Sequence, residues 1–377
     1  MKICYFGTYD KFYTSNKLIL DGLRQNGAEV LEVNAHIRVT RLDSQKDMGL
    51  WPLFKRIIKK YRIFVETAKH FNSIRRCDAI YVGYPGHIDV LLAVILGKLL
   101  HIPVMFNPLV VLYTGFTEEQ RILRKDSFLG RLAKWGEGRI YNWCDLVFAD
   151  TPLQVTLLKD LFKVPEEKIR VLLIGADDKF YTYTPYTNTS KKMNVCYYGL
   201  YSPIHGVDYI IECARLLKND PDITFSMIGI GQTFEKNYKR AQELKLKNIT
   251  FFHETPEHEH PGIMAKSDVF LGFLEDHPSV VRVVPNKVYQ GVAMGKVVIT
   301  AKSPAIESVF TDKENIYLCK PKDAKELSEI LVTLKKDPTL RKSIADNGYK
   351  LFVEKLNPKA IGRELMTHVR EVLNIKK

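Results

Sequence analysis

Arg282, Lys287 and Gln290 stand in an otherwise apolar stretch, VRVVPNKVYQGVAMGKVVIT at 281–300. Long cationic side chains are rarely enclosed without a partner, so the stretch points to an anionic ligand for them to face. Pro285 suits the start of a helix. Lys287 then falls in the opening turn, with Gln290 one turn further on, close to the same side. The free N–H groups of a helix start, joined by a lysine, suit phosphate oxygens.

Other candidate residues sit where apolar runs end. Gly7 closes MKICYFG and permits either a tight turn or close approach of backbone to a ligand. Gly199, Pro203, His205 and Gly206 frame a loop after NVCYYG that opens another helix, a second place for an anion. Gly229 and Gly231 follow ITFSMI as a G-x-G, short of a dinucleotide fingerprint. Glu275 and Asp276 follow VFLGFL, where carboxylates could orient sugar hydroxyls. His253, His258 and His260 in HETPEHEHPG have no helical ligand spacing. They read as a solvated loop, and no metal site is expected.

These loops need a scaffold that brings them together. Strand-like runs (MKICYFG, AEVLEVNA, AIYVGY, IPVMFN, LVFAD) alternate with helical ones, and the scheme repeats from NVCYYG to KVVITA. Such alternation predicts an α/β chain of two doubly wound Rossmann-like domains with parallel sheets. Ligands bind beyond the carboxyl ends of such strands. The pattern weakens only in DDKFYTYTPYTNTSKK. The predicted organisation is therefore a first domain at 1–177, a linker at 178–192, a second domain at 193–358 and a C-terminal helix at 359–377.

Size and composition fit. A chain of 377 residues suits two domains. Six scattered cysteines without a C-x-x-C pair are expected as reduced core residues. Met1 leads straight into MKICYFG with no secretory pattern, and LLAVILGKLL at 91–100 is too short to span a bilayer. A net charge of +13 calls for an anionic partner. No nucleic-acid-binding signature is present, so nucleic acid is not the expected one.

Three stretches, in order YGLYSPIHGVDYIIECARLLK, SMIGIGQ and RVVPNKVYQGVAMGKVVIT, resemble family 4 glycosyltransferases, which have the GT-B fold. WCDLVFADTPLQVTLLKDLFKVPEEKIRVLLIGADDKFY resembles the segment that ends the family's N-terminal domain. The resemblance implies two domains facing across a cleft. It implies sugar transfer from a nucleotide diphosphate sugar with retention of configuration, without a metal or other cofactor. The donor would lie mainly on the second domain and the acceptor on the first, with the C-terminal helix crossing back.

Residue by residue, the family's two glutamates of the donor helix fall on Arg282 and Gln290, and its diphosphate-binding Arg and Lys fall on Leu200 and His205. The P-x-H-G and R-V-x-P-N-K motifs here mark a sub-group. In it Arg282 and Lys287 would take over the diphosphate contacts, assisted by backbone N–H groups near Gly7 and His205, with Gln290 on the ribose. The family's N-domain histidine is absent from NPLVVLYTGF, and His87 is the substitute. The catalytic set is then His87, Glu275 and Asp276. Two other readings stay open: a nucleotide-sugar epimerase that needs no acceptor, and a non-catalytic partner subunit.

One segment suggests where the acceptor is met. LWPLFKRIIKKYRIFVETAKHF at 50–71 places Trp51 in an apolar stripe beside Lys55, Arg56, Lys59, Lys60 and Arg62. A basic helix with aromatic residues on its apolar side reads as a membrane-surface element. The expectation is a peripheral protein at the cytoplasmic face of the cell membrane, acting on a lipid-linked glycan or another surface-polysaccharide precursor.

Overall fold

The structure is a computed structural model. It describes residues 1–11, 13–35, 50–119, 122–187, 190, 192–253, 255–256 and 259–375, with the side chains of 50–60, 119 and 375 outside the description. The chain forms two compact units, Met1–Ile174 with Pro358–Lys377, and Gly175–Asn357.

Unit 1 is a parallel six-stranded sheet in the order β2-β1-β3-β4-β5-β6. The strands are β1 Lys2–Gly7, β2 Glu29–Asn34, β3 Ala79–Val82, β4 Val104–Phe106, β5 Leu146–Ala149 and β6 Ile169–Val171. Between them run α1 Thr14–Gln25, α2 Leu50–Ile74, α3 Asp89–Leu100, α4 Phe128–Trp143 and α5 Pro152–Phe162. Side chains alternate across a strand, and β1 shows the consequence. Ile3 and Tyr5 join a core with Leu20, Leu23, Ile361 and Leu365, under α1 and the C-terminal helix Pro358–Ile375. Cys4 and Phe6 join the opposite core, with Ile63 of α2, Val90 and Val94 of α3, and Tyr141 of α4. Right-handed crossovers require this division, because the chain winds one way from β1 to β2 and the other way from β2 onwards.

Unit 2 repeats the plan in the order β12-β11-β10-β7-β8-β9, again all parallel. Its strands are β7 Met193–Tyr198, β8 Ile223–Ile228, β9 Ile249–Phe252, β10 Val269–Leu271, β11 Val297–Ala301 and β12 Tyr317–Cys319. The longer helices are α6 Val207–Leu216, α7 Phe234–Glu243, α8 Asn286–Ala293, α9 Ala324–Lys336 and α10 Pro338–Leu351. Winding reverses between β7 and β10, so the loops after these two strands flank the place where a ligand is received. All six cysteines are free and buried.

The structure differs from the expected organisation in the passage read as a linker. Unit 2 begins at Gly175, and the tyrosines that follow pack onto it. Tyr183 stacks on Tyr349 with ring centres 3.7 Å apart, and Tyr186 lies in the unit's core. Aromatic rings find enough apolar area there to be held even though the segment has no periodicity. The edge strands β6 and β12 were not among the expected elements.

Candidate functional site

Glycines at the carboxyl ends of β7 and β8 draw two loops into backbone contact. Gly199 (φ +138°) donates its N–H to the carbonyl of Ile228, and Tyr201 donates to Ile230. A β-carbon at Gly229 would stand 2.2 Å from the Gly199 oxygen, and one at Gly231 2.6 Å from the Tyr201 nitrogen. The G-x-G is thus required by the approach of one loop to the other. On the opposite side, Gly206 (φ +75°) leaves 3.0 Å between its absent β-carbon and the Leu274 backbone, and Leu274 N–H donates to His205 O. The loop 199–206 is therefore clamped between those following β8 and β10.

Lys287 enters this clamp from the first turn of α8, whose N-cap is Pro285. Its side chain is only 7% exposed. Nζ lies 3.9 Å from the ring centre of Tyr197 and 4.9 Å from that of Phe273, and it has no hydrogen-bond partner. Ring faces attract an ammonium but accept none of its hydrogen bonds conventionally. Burial consequently pushes the Lys287 pKa far down. Gly199 makes room for it: a β-carbon there would be 3.1 Å from Nζ. Gln290, one turn along α8, is also buried.

His205 stacks on Phe273, ring centres 4.1 Å apart. Its Nδ1–H donates to the Leu200 carbonyl at 2.6 Å, an oxygen that also accepts from the Tyr197 hydroxyl. Burial first, then the nearby Lys287 charge, pull its pKa from 6.5 down to about 3. The imidazole is therefore neutral at physiological pH. The unfolded chain binds this proton more readily, so His205 contributes stability that is lost as pH falls from 6.5 towards 3. In nitrogen-15 spectra the ring should stay in the Nδ1–H tautomer from about pH 5 to pH 8; a midpoint inside that range would refute the assignment.

Glu275 and Asp276 share Lys322, with Nζ 3.4 Å from Glu275 Oε2 and 2.5 Å from Asp276 Oδ1. The hydrogen bond from Lys322 holds the Asp276 carboxyl below its usual range. Glu275 is the more enclosed of the two, with 16% of its side chain exposed against 51%. Arg282 follows the short helix Pro278–Val281 and is half-buried.

In unit 1, Gly7 (φ +132°) has the carboxylate of Asp89 3.2 Å from its absent β-carbon. Asp89, at the start of α3, accepts from Thr8 N–H at 2.8 Å and from Thr8 Oγ1 at 2.7 Å. This buried acid closes the loop after β1, and the sequence reading did not single it out. His87 lies inside the unit rather than open to a ligand. It is 5% exposed, packs edge-on against Phe106, and has Nε2 3.7 Å from Glu137 Oε1. Glu137 in turn accepts from Leu112 and Tyr113 N–H at 2.7 Å each and from the Tyr141 hydroxyl. His87 is thus a core residue beside a buried carboxylate.

Of the expected membrane contacts, Trp51, Lys55, Arg56, Lys59 and Lys60 lie on α2 with side chains outside the described residues. His258, of the three histidines read as a solvated loop, also lies outside the described residues. Arg62 is exposed.

Two parallel doubly wound units of this kind define the GT-B fold of glycosyltransferases. The chain aligns over 98% of its length with all of Alr3699/HepE of Anabaena, solved in complex with UDP-glucose, at a TM-score of 0.66 and 16% identity. It aligns over its whole length with all of a sucrose-phosphate synthase from Thermosynechococcus elongatus, at 0.68 and 14%. WaaG, a glycosyltransferase involved in lipopolysaccharide biosynthesis, aligns over 98% of this chain and 99% of its own at 0.60 and 12%. At such identities the likeness establishes the fold. Residues 185–351, within unit 2, match the family model "Glycosyl transferases group 1". Among curated proteins none matches the chain by sequence.

Proposed function

We propose that the protein is a retaining, metal-independent glycosyltransferase. It takes a sugar from a nucleotide diphosphate donor held on unit 2 and passes it to a lipid-linked glycan acceptor held on unit 1, at the cytoplasmic face of the cell membrane. The observation that carries the donor assignment is Lys287 Nζ, buried and without a hydrogen-bond partner at the winding reversal of a unit that matches group 1 glycosyl transferases. A diphosphate would supply the missing oxygens. A cation fixed there before reaction also stabilises the charge that grows on the departing nucleoside diphosphate. Arg282 supplies a second cation, and N–H groups of the loops at Gly7 and at 199–206 add neutral donors. Gln290 offers both an acceptor and donors to the ribose hydroxyls. Glu275, which pairs with Lys322, orients the hydroxyls of the sugar, with Asp276 beside it.

Thermal-shift measurements with UDP, GDP, TDP and ADP sugars test the donor half. One nucleotide series should raise the melting temperature, and no response from any would overturn the reading. With that donor labelled, transfer to a lipid-linked acceptor with the donor's anomeric configuration kept is the expected product. Conversion of the donor alone, without acceptor, would overturn it in favour of an epimerase.

A further inference from the structure

Two neighbouring helices of unit 1 expose what most helices hide. α3 buries Val90, Ala93, Val94 and Leu96 in the core beneath it. Its other side presents Ile88, Leu91, Ile95 and Leu99, which are 58%, 40%, 63% and 64% exposed. Spacings of three, four and four make these one stripe. α4 seats Tyr141 against the same core. Its outward side presents Phe128, Leu132, Trp135 and Trp143, between 44% and 73% exposed. Because both helices cover the same side of the sheet, both stripes project away from it. α2 also covers that side, through Ile63, and leaves Tyr61, Phe64 and Val65 exposed.

The charges on α3 and α4 are sorted by sign. Their acids, Asp89 and Glu137, are buried at 2% and 7% and spent on backbone N–H groups. Lys98, Arg131 and Arg139 are exposed, and the Arg139 guanidinium lies 5.5 Å from the ring centre of Trp135. Outward-facing leucine, isoleucine and tryptophan on two helices whose exposed charges are all cations match an anionic lipid surface, with apolar tips among acyl chains and cations at headgroups; the exposed Asp126 lies just before α4. A large apolar patch on a soluble surface otherwise marks an interface. The net charge of +13 disfavours pairing this face with a second copy of the same chain. No helix among the described residues is long and apolar enough to cross a membrane, so the contact is one of lying on the surface.

We infer that the outward side of α3 and α4 is a bilayer-docking surface, which seats the protein on anionic membranes by partial insertion of Ile95, Leu99 and Trp135. These residues are other than those of the basic segment 50–71, which the sequence alone suggested. The inference deepens the lipid-linked acceptor reading and rests on it for the use the docking serves. Binding to vesicles needs no donor, so failure of one is distinguishable from failure of the other.

The test is co-sedimentation of the full chain with phosphatidylcholine vesicles, with and without phosphatidylglycerol. The wild type should bind the anionic vesicles, and more weakly as salt is raised. Ile95→Asp and Trp135→Asp, at exposed positions, should each lower the partition coefficient about tenfold or more, with the melting temperature and nucleotide response unchanged. Lys98→Glu should weaken binding to anionic vesicles and leave any binding to neutral ones alone. Wild-type levels of binding by both aspartate variants would overturn the inference. So would a wild type that ignores vesicles and forms a dimer dispersed by Ile95→Asp, which would make the face a copy-to-copy interface.

Discussion

Lys287→Met should make the empty protein more stable and nearly unable to hold a nucleoside diphosphate. Both effects follow from one placement. The ammonium is enclosed between Tyr197 and Phe273 with no oxygen to bind it. Taking a charge out of water without satisfying its hydrogen bonds is costly, and an apolar residue of similar length fills the space without that cost. A gain of about 1–3 kcal/mol in unfolding free energy is expected. The ligand-bound state reverses the balance. Charged hydrogen bonds to phosphate oxygens are worth about 1.5–3 kcal/mol each, so losing two should weaken binding about 100-fold or more. The pH dependence follows the same logic. The native pKa is lowered, so the unfolded chain binds the Lys287 proton more readily, and wild-type stability should rise with pH through the interval below the ordinary lysine value of 10.5. The methionine variant should lose that slope. Calorimetry of diphosphate binding in buffers of different ionisation heats should show proton uptake by the wild type but not by the variant. A variant that is less stable, or that binds with unchanged affinity, would remove Lys287 from the donor site.

What was legible in the sequence was what is local. Pro285 before an apolar run is enough to start a helix and to put Lys287 in its first turn, and the structure has both. The β1 and β7 runs show their ends as Gly7 and Gly199, because a strand that terminates in a glycine of positive φ leaves a short-range trace. What stayed hidden depends on closure over distance. Asp89 reaches Thr8 across 81 positions, and no local pattern distinguishes it from any acid at a helix start. The burial of His87 stayed hidden for the same reason, since its neighbours Phe106 and Glu137 come from other elements. The G-x-G of Gly229 and Gly231 looked like weak ligand-binding evidence, whereas the contact it serves is to the backbone of the next loop. The exposed stripe of α3 was invisible for a different reason. A helix that is apolar all round has no polar side to reveal which way is out. LLAVILGKLL therefore read only as too short to cross a bilayer.

Gly362→Val should unfold unit 1 at a much lower temperature while leaving nucleotide recognition by unit 2 in place. The C-terminal helix lies on α1 with backbone against backbone. A β-carbon at Gly362 would be 2.2 Å from both the carbonyl carbon and oxygen of Gly22, and one at Gly22 would be 2.2 Å from Pro358 O. Asn26 stitches the crossing with Nδ2 donating to Gly22 O and to Lys359 O, the latter 333 positions away. None of these atoms is the end of a flexible side chain, so a branched residue can only push the helices apart. Separation would strip Ile361, Leu365 and Val369 from the core they share with Ile3, Tyr5 and Leu23. Overpacking alone costs about 1–3 kcal/mol. With loss of that cover the expected total is about 4 kcal/mol or more, or roughly 10 °C for a unit of this size. Scanning calorimetry should show the unit 1 transition moving down and the unit 2 transition staying put, because residues 175–357 hold a separate core. Below the first transition, diphosphate affinity should match the wild type. Gly362→Ala should fall between the two, since one methyl meets the same backbone atoms with less bulk. If valine shifts neither transition, the close crossing is wrong. If it moves both together, the two units melt as one. The contrast with Lys287→Met is diagnostic: one substitution removes the ligand and strengthens unit 2, the other weakens unit 1 and spares the ligand.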